Sequence, residues 1–339
     1  MINHFGLDIG SDSIKIVELS GSKNNFQLQT MGLIKTPGLG IDSDSERDLI
    51  TVAETIRKLK KEIRVSSNNV VASISDRHSF SHLLEMPKMS LDELNQAIPW
   101  EAENIIPQPL AEVNLDWEII EDSDLAGQNK IKVLLVAASK VLVNKYLRVL
   151  KMAELEPVAL ESEFLSTIRF FKSIANNSDL LVANLGLKSL DLVLIHKGNL
   201  LLSRSLPTDG EALTRSLSTT LSMELSAAEE YKKAYGLSSQ LEGKVALAMD
   251  PILKIIGNEI KKAVHYYEEK SKSPLKLMVL SGGSALLPGI AEHFTRMLNL
   301  EVQIANSLAV VKADEKIKET FRNFSPLFVV SMGLAMKEV

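Results

Sequence analysis

The chain has 339 residues, with 38 basic and 43 acidic side chains and a net charge of −5. At roughly 150 residues per domain this length predicts about two domains, and the mild acidity excludes the basic surface of a general nucleic-acid binder. With 45% hydrophobic residues, 24% charged residues and no cysteine, wholesale disorder, disulfides, thiolate metal sites and a cysteine nucleophile are excluded.

The pattern of the first 75 residues predicts β-β-β-α-β. Phe5 to Ile9 is an apolar run, Ile14 to Leu19 alternates, and Phe26 to Ile34 makes a third strand, with the polar turn Gly10-Ser11-Asp12-Ser13 between the first two. Asp8, Asp12 and Lys15 fall where a signal peptide would be apolar. No stretch reaches the roughly 18–20 apolar residues of a membrane helix. A cytoplasmic protein without direct membrane insertion is therefore expected. Thr36 to Ser45 reads as a loop. Leu49, Val52, Ala53, Ile56, Leu59 and Ile63 recur at helical spacing, and Asn69 to Ser75 returns as a strand.

Residues 77 to 155 read as a separate β-α-β-β-α unit. Phe80 to Met86 is a strand. Ser90-Leu-Asp-Glu93 is a capping box opening a helix that Pro99 should break or kink and that Pro107 and Pro109 end. Val113 to Ile120 and Lys130 to Ala138 are strands around a polar hairpin loop, Glu121 to Asn129, and Val141 to Leu155 is helical. From about 160 the opening pattern recurs. A helix (Ser162 to Ser173) leads to strands at Leu180 to Leu185, Asp191 to His196 and Leu200 to Leu206, again with a small polar turn between the first two. Helices follow at 209–223, 226–235 and 246–270, then a strand at Leu275 to Leu280, a helix from Pro288 and an apolar helix from Pro326 to Met336.

Four constellations carry chemistry. In the first, a strand delivers Asp8 to a turn where Gly10 frees backbone amides, Ser11 and Ser13 add hydroxyls and Lys15 projects from the next strand. Such a hairpin suits phosphate oxygens, with Asp8 placed to hold water on magnesium; a plain polar hairpin is the alternative. The second, Asn184-Leu-Gly186-Leu-Lys-Ser189, repeats that arrangement, so that two hairpins flank one polyphosphate. The third is the turn Ser281-Gly282-Gly283-Ser284-Ala285 after a buried strand, where glycines let the backbone lie against a base or sugar. In the fourth, Glu229 and Lys232 are helical neighbours, which taken alone read as a surface ion pair. His78 and His82 fall on a strand and do not form a metal pair, Ser281 lacks a nucleophile-elbow context, and Trp100 and Trp117 belong to core or partner contacts.

Together the four motifs resemble the nucleotide-binding signature of the superfamily of actin, the heat-shock chaperone ATPases and the sugar kinases. Within it, Leu84-Glu-Met-Pro through Ile-Ile-Pro107, followed by Val113-Asn-Leu-Asp116, is similar to the PilM family of type IV pilus assembly proteins, relatives of FtsA; Thr214 after Gly210 and the segment Phe328 to Ala335 also fit. The resemblance implies a mixed α/β, actin-like two-lobe fold with duplicated nucleotide-binding halves. Residues 1–76 would be the first-lobe core, and 77–155 an inserted α/β subdomain for partner binding. Residues 156–325 would be the second lobe with a helical part at 209–272, and 326–339 a helix returning to the first lobe. It implies ATP and Mg2+ as ligands. Asp8, Gly10, Ser11, Ser13 and Lys15 would form the first phosphate hairpin and Asn184, Gly186 and Ser189 the second. Glu229 and Lys232 would lie near the ribose, and Gly282, Gly283 and Ala285 near the adenosine.

It further implies an adaptor docked on the N-terminal cytoplasmic peptide of a PilN-like inner-membrane protein, with other pilus motor components and self-association as further contacts. The family usually has Asp where this chain has Asn184, which predicts weak or absent hydrolysis unless Asp191 or another carboxylate substitutes. The alternatives are an FtsA-like division protein, whose usual amphipathic tail is not expected after Met332 to Val339, and a small-molecule kinase, for which Glu161 or Glu163 would be the carboxylate near the γ-phosphate.

Overall fold

The structure, a computed structural model, describes residues 3–22, 25–120, 130–174, 178–208 and 210–338. The expected loop Glu121 to Asn129 and Asp209, the first residue of one expected helix, lie outside the described residues.

β1 (Phe5–Ile9) is buried at every position, as befits a strand covered on both faces. β2 (Ser13–Ser22) pairs antiparallel with it, setting Lys15 opposite Asp8, and β3 (Asn25–Lys35) adds on the far side of β2. Both faces of β2 are buried despite the alternation in its sequence. Ile14 and Ile16 pack in the first-lobe core, and Val17 and Leu19 in a core between the lobes. The apolar stripe of α1 (Glu46–Glu62) faces the first-lobe core, and β4 (Asn69–Ile74) runs parallel to β1.

The chain then leaves the first lobe. β5 (Ser79–Pro87), α2 (Leu91–Ile105), β6 (Val113–Ile120) and β7 (Lys130–Ser139) form an antiparallel sheet in the order β5-β7-β6 with one helix on its face. The capping box of α2 is formed by Ser90 and Glu93. The helix runs through Pro99 without a break. Pro99 is exposed, so the Asn95 carbonyl deprived of its donor faces water. Leu94, Ile98 and Ala102 bury that helix against Val133 and Leu135.

The helix expected to close this small unit, α3 (Lys140–Met152), packs elsewhere. Its Tyr146, Val149 and Leu150 enter the first-lobe core beside α1. It leads to a strand that the sequence pattern hid, β8 (Glu156–Ser162), parallel to β4 at the edge of the first sheet. Pro157 and flanking glutamates disguise it, although proline is tolerated on such an edge.

α4 (Glu163–Ile174) crosses to the second lobe, where β9 (Leu180–Leu185), β10 (Leu190–His196) and β11 (Asn199–Leu206) repeat the opening meander. α5 (Gly210–Leu221), α6 (Leu225–Tyr235) and α7 (Lys244–Ser271) pack as a helical group. β12 (Leu277–Ser281), α8 (Ile290–Leu298) and β13 (Glu301–Ile304) complete the sheet. The orders β3-β2-β1-β4-β8 and β11-β10-β9-β12-β13 match strand for strand. After α9 (Glu315–Phe321) and a tight helical turn to Phe328, α10 (Val329–Ala335) returns to lie on β1 and α4.

That return requires glycine. A Cβ on Gly333 would fall 2.0 Å from the Ser166 carbonyl oxygen of α4, and one on Gly6 2.2 Å from the Ser331 carbonyl oxygen of α10. Gly333→Ala is expected to destabilise the fold by about 1–3 kcal/mol, as overpacking does, read as a lower urea midpoint. An unchanged midpoint would mean that α4 and α10 separate freely.

Candidate functional site

Two turns of like construction face each other across the interlobe cleft. In the first lobe, the Gly10 amide donates to the Ser13 carbonyl at 3.1 Å; in the second, the Gly186 amide donates to the Ser189 carbonyl at 2.9 Å. Each turn is braced from behind by the residues that follow its third strand. Thr36 donates its amide to the Asp12 carbonyl (2.9 Å) and its hydroxyl to the Gly10 carbonyl (2.7 Å). Gly210 and Glu211 donate amides to the Gly186 and Leu187 carbonyls, both at 3.0 Å. The amides of Ser11, Asp12, Leu187 and Lys188 meet no protein acceptor among the described residues, and all four residues line the cleft. Opposed backbone amides of this kind suit a chain of phosphate oxygens.

A buried polar rung lies behind each turn. In the first lobe Lys15 donates to Asp8 at 3.0 Å, both side chains being nearly inaccessible. The matching rung in the second lobe is Asn184 opposite Asp191. The Asn184 amide nitrogen donates to Asp191 at 3.4 Å, and its oxygen accepts from the Ser281 hydroxyl at 3.3 Å. Asn184 therefore does not leave the second hairpin without a carboxylate: the charge stands one strand over, where Ser189 (2.9 Å) and Ser205 (2.5 Å) also donate to it. The clue in the sequence was the spacing, since both rungs join residues seven apart.

Carboxyls crowd the floor of the cleft. Glu163, the first residue of α4, faces the cleft. Burial, and then the neighbouring carboxyls of Asp191, Asp76 and Asp8, push its pKa well above the usual range, with Lys15 opposing. Burial also raises Asp191, against its serine and asparagine donors. Asp76 is raised by burial and by Asp191, while accepting from the Ser162 hydroxyl (2.5 Å) and the Phe164 amide (2.8 Å) at the start of α4. Glu161, the other carboxylate weighed at this junction, lies outside the cleft, held by Arg169 (2.6 and 2.8 Å) and Lys337 (2.9 Å).

On the opposite side, Lys232 is buried and not a surface charge. Its ammonium donates to the Gly210 carbonyl and the Thr214 hydroxyl, each at 2.7 Å, and lies 2.7 Å from Glu229. It thus clamps α5 to α6 while Glu229 lines the cleft. Gly282 has φ +83°, and a Cβ there would fall 2.6 Å from both the Asn184 side-chain oxygen and the Leu185 carbonyl, so only glycine suits the position. Gly283 and Ser284 also line the cleft, whereas Ala285 turns inward and is fully buried in the second-lobe core. Asp42, Arg77 and Lys188, which the motif reading did not single out, also line it.

The cleft is open at its mouth and is lined from both lobes, by residues of the first turn on one side and of the second turn on the other. Among the described residues no group of three or more metal-ligating side chains converges. The residues present thus fit a magnesium ion carried on phosphates and water better than one caged by protein.

Two matching lobes, paired turns with available amides and a cleft between them define the actin-like class of nucleotide-binding folds. A family model described as type IV pilus assembly protein PilM matches residues 6–339, and the chain belongs to that family. It is 27% identical to a chain of a solved PilM-PilN type IV pilus biogenesis complex, covering 99% of both chains with a TM-score of 0.87. It is 22% identical to the cell division protein FtsA of Bacillus subtilis (strain 168), over 89% of this chain and 78% of that one. The fold is shared with MreB5 of Spiroplasma citri bound to AMPPNP, at 11% identity and a TM-score of 0.55 over 97% and 94% of the two chains. Among the described residues no helix is long and apolar enough to cross a membrane.

Two expectations follow from the carboxyls. Asn184→Asp sets a second carboxylate against Asp191 and removes a donor, so it is expected to destabilise at pH 7 by roughly 1–3 kcal/mol. The loss should shrink as pH falls toward the ordinary carboxylate range, because crowding raises the folded-state pKa; a pH series of melting temperatures reads this, and a pH-independent loss would contradict it. Glu163→Gln should act oppositely. The raised Glu163 pKa means that the native chain binds more protons than the unfolded one just above the ordinary carboxylate range, so wild-type stability falls as pH rises through that window. Glutamine does not titrate. The variant is expected to melt higher than wild type at pH 7 and equally near pH 4; a lower melting temperature at pH 7 would sink the assignment.

Proposed function

We propose that this chain is a nucleotide-loaded assembly adaptor. Its cleft binds ATP with magnesium, and its insert of β5, α2, β6 and β7 captures the N-terminal cytoplasmic peptide of a PilN-like inner-membrane protein, which holds the chain at the membrane. The observation that carries the partner is the likeness over 99% of both chains to the PilM-PilN complex. The sheet order supports an extended peptide. β5 faces β11 through the Ser81 and Ser203 hydroxyls (3.1 Å), while β6 pairs only with β7 among the described strands and offers its other edge to strand addition.

Within the cleft, the amides of Ser11, Asp12, Leu187 and Lys188 would hold phosphate oxygens beside Lys15, Ser13 and Ser189. Gly282 and Gly283 leave room for the adenosine, and Glu229 lies at the ribose. Bound nucleotide supplies a charged bridge between the lobes. Asp8 is tied to Lys15 and Asp191 to three donors. Glu163 is the cleft carboxylate without such a partner among the described residues, so it alone is free to orient a water, and turnover is slow.

Two measurements test this. The register sets Ser79 opposite Ala138, so residues 79–139 can be replaced by a short glycine linker without cutting the first sheet. That variant is expected to keep MgATP affinity within about threefold and to lose capture of a peptide carrying the first dozen residues of a candidate partner; retained capture would place the interface elsewhere. Phosphate release by wild type should be slow, and Glu163→Gln should reduce it by roughly a hundredfold, the usual scale for losing a general base. Equal rates would remove Glu163 from the reaction.

A further inference from the structure

Asp42 lies on the loop between β3 and α1, and the side chains of Arg77, Lys188 and His78 converge on it. Arg77, from the end of β4, places Nη2 2.5 Å from Oδ2, and Lys188, at the tip of the second-lobe turn, places Nζ 3.0 Å from that same oxygen. His78 Nε2 lies 2.9 Å from Oδ1. Burial opposes ionisation of Asp42, but the hydrogen bonds from His78, Arg77 and Lys188 outweigh it and hold the carboxyl well below the usual range. One anionic oxygen is thus gripped by a guanidinium and an ammonium from opposite walls of the cleft. That is the coordination sphere that Arg and Lys give a phosphoryl oxygen.

We infer that Asp42 is a built-in stand-in for the terminal phosphate of a nucleoside triphosphate, holding Arg77 and Lys188 until that phosphate takes them. The inference rests on the reading of the cleft as a nucleotide site and adds how the site tells a triphosphate from a diphosphate. Lys188 is one of the turn residues whose amide faces the phosphates, so its side chain starts beside them. A terminal phosphoryl group carries more charge than a carboxylate and outcompetes it for both cations. A diphosphate lacks the group that reaches them. The exchange also opens a direct ion pair between the lobes and replaces it with a bridge through the ligand.

Calorimetric titration of the full chain with MgATP and with MgADP tests this. Asp42→Asn removes the competitor and should tighten MgATP by about threefold or more, the scale of one part-exposed charge pair, while moving MgADP by less than about twofold. Lys188→Ala, at a solvent-accessible turn, should weaken MgATP by roughly tenfold and leave MgADP nearly unchanged. If wild type binds both nucleotides and the variants shift neither, or shift both alike, the inference falls and the nucleotide site stands. If wild type binds neither nucleotide, the nucleotide site falls and takes the inference with it.

Discussion

The closeness of α10 to its two neighbours is the constraint on which the rest of the molecule depends. Gly333 meets the Ser166 carbonyl oxygen, and the Ser331 carbonyl oxygen meets Gly6, with no room for a Cβ at either glycine. β1 carries Asp8 and leads into the first turn, and α4 begins with Glu163. A single helix therefore fixes the strand that delivers one wall of the cleft relative to the helix that carries its floor. Phe328, Met332 and Ala335 continue the same contact into the core shared by both lobes, where Val182 and Val193 of the second sheet also pack. Cleft width is set by backbone contact at this joint, which compresses far less than long side chains do.

Within that frame the two halves solve one electrostatic problem in different ways. The first lobe buries an acid against a lysine on the facing strand. The second buries an acid against an amide and two hydroxyls. Both satisfy a buried carboxylate, as a low-dielectric site requires. They differ in what is left over. Asp8 has a lysine partner on its facing strand, whereas Asp191 has none; burial, and then the nearby Asp191, lifts the pKa of Glu163 and Asp76. The positive groups of the turns and the negative groups of the floor are therefore segregated, which orients a polyanion with its charge toward the turns.

Much of this was legible in the sequence because it depended on local rules. Phe5–Ile9 ends where its apolar run ends, the Ser90–Glu93 capping box formed, and the repeat of strand, polar turn and strand revealed the duplicated halves. The unread parts depended on contacts between distant segments. β13 has only four residues, three of them exposed, so it carries no run or alternation to detect. α3 shows the same amphipathic stripe whether it faces the insert or the first-lobe core, and only the structure shows which. Ala285 follows two glycines that face the cleft, yet its backbone has already turned into the second-lobe core. Asp42, Arg77 and Lys188 come from three loops, and no spacing in a single segment foretells their meeting.

The insert joins the first lobe through two strands that leave it side by side, with Ser79 opposite Ala138 at the neck. This has a mechanical consequence. A load drawn along the strands from the far end of the insert is carried in parallel by two covalent backbones, while the ladder hydrogen bonds lie across the pull and are not peeled one by one. Bending is resisted more broadly. β6 also reaches the neck, with Val113 opposite Ser139, and Leu134 and Val136 of β7 pack into the core shared by the two lobes. Toward β11, Ser81 meets Ser203. The neck is thus stiff in tension and braced against tilt. A joint of this kind passes a pull on whatever the insert holds to both lobes at once.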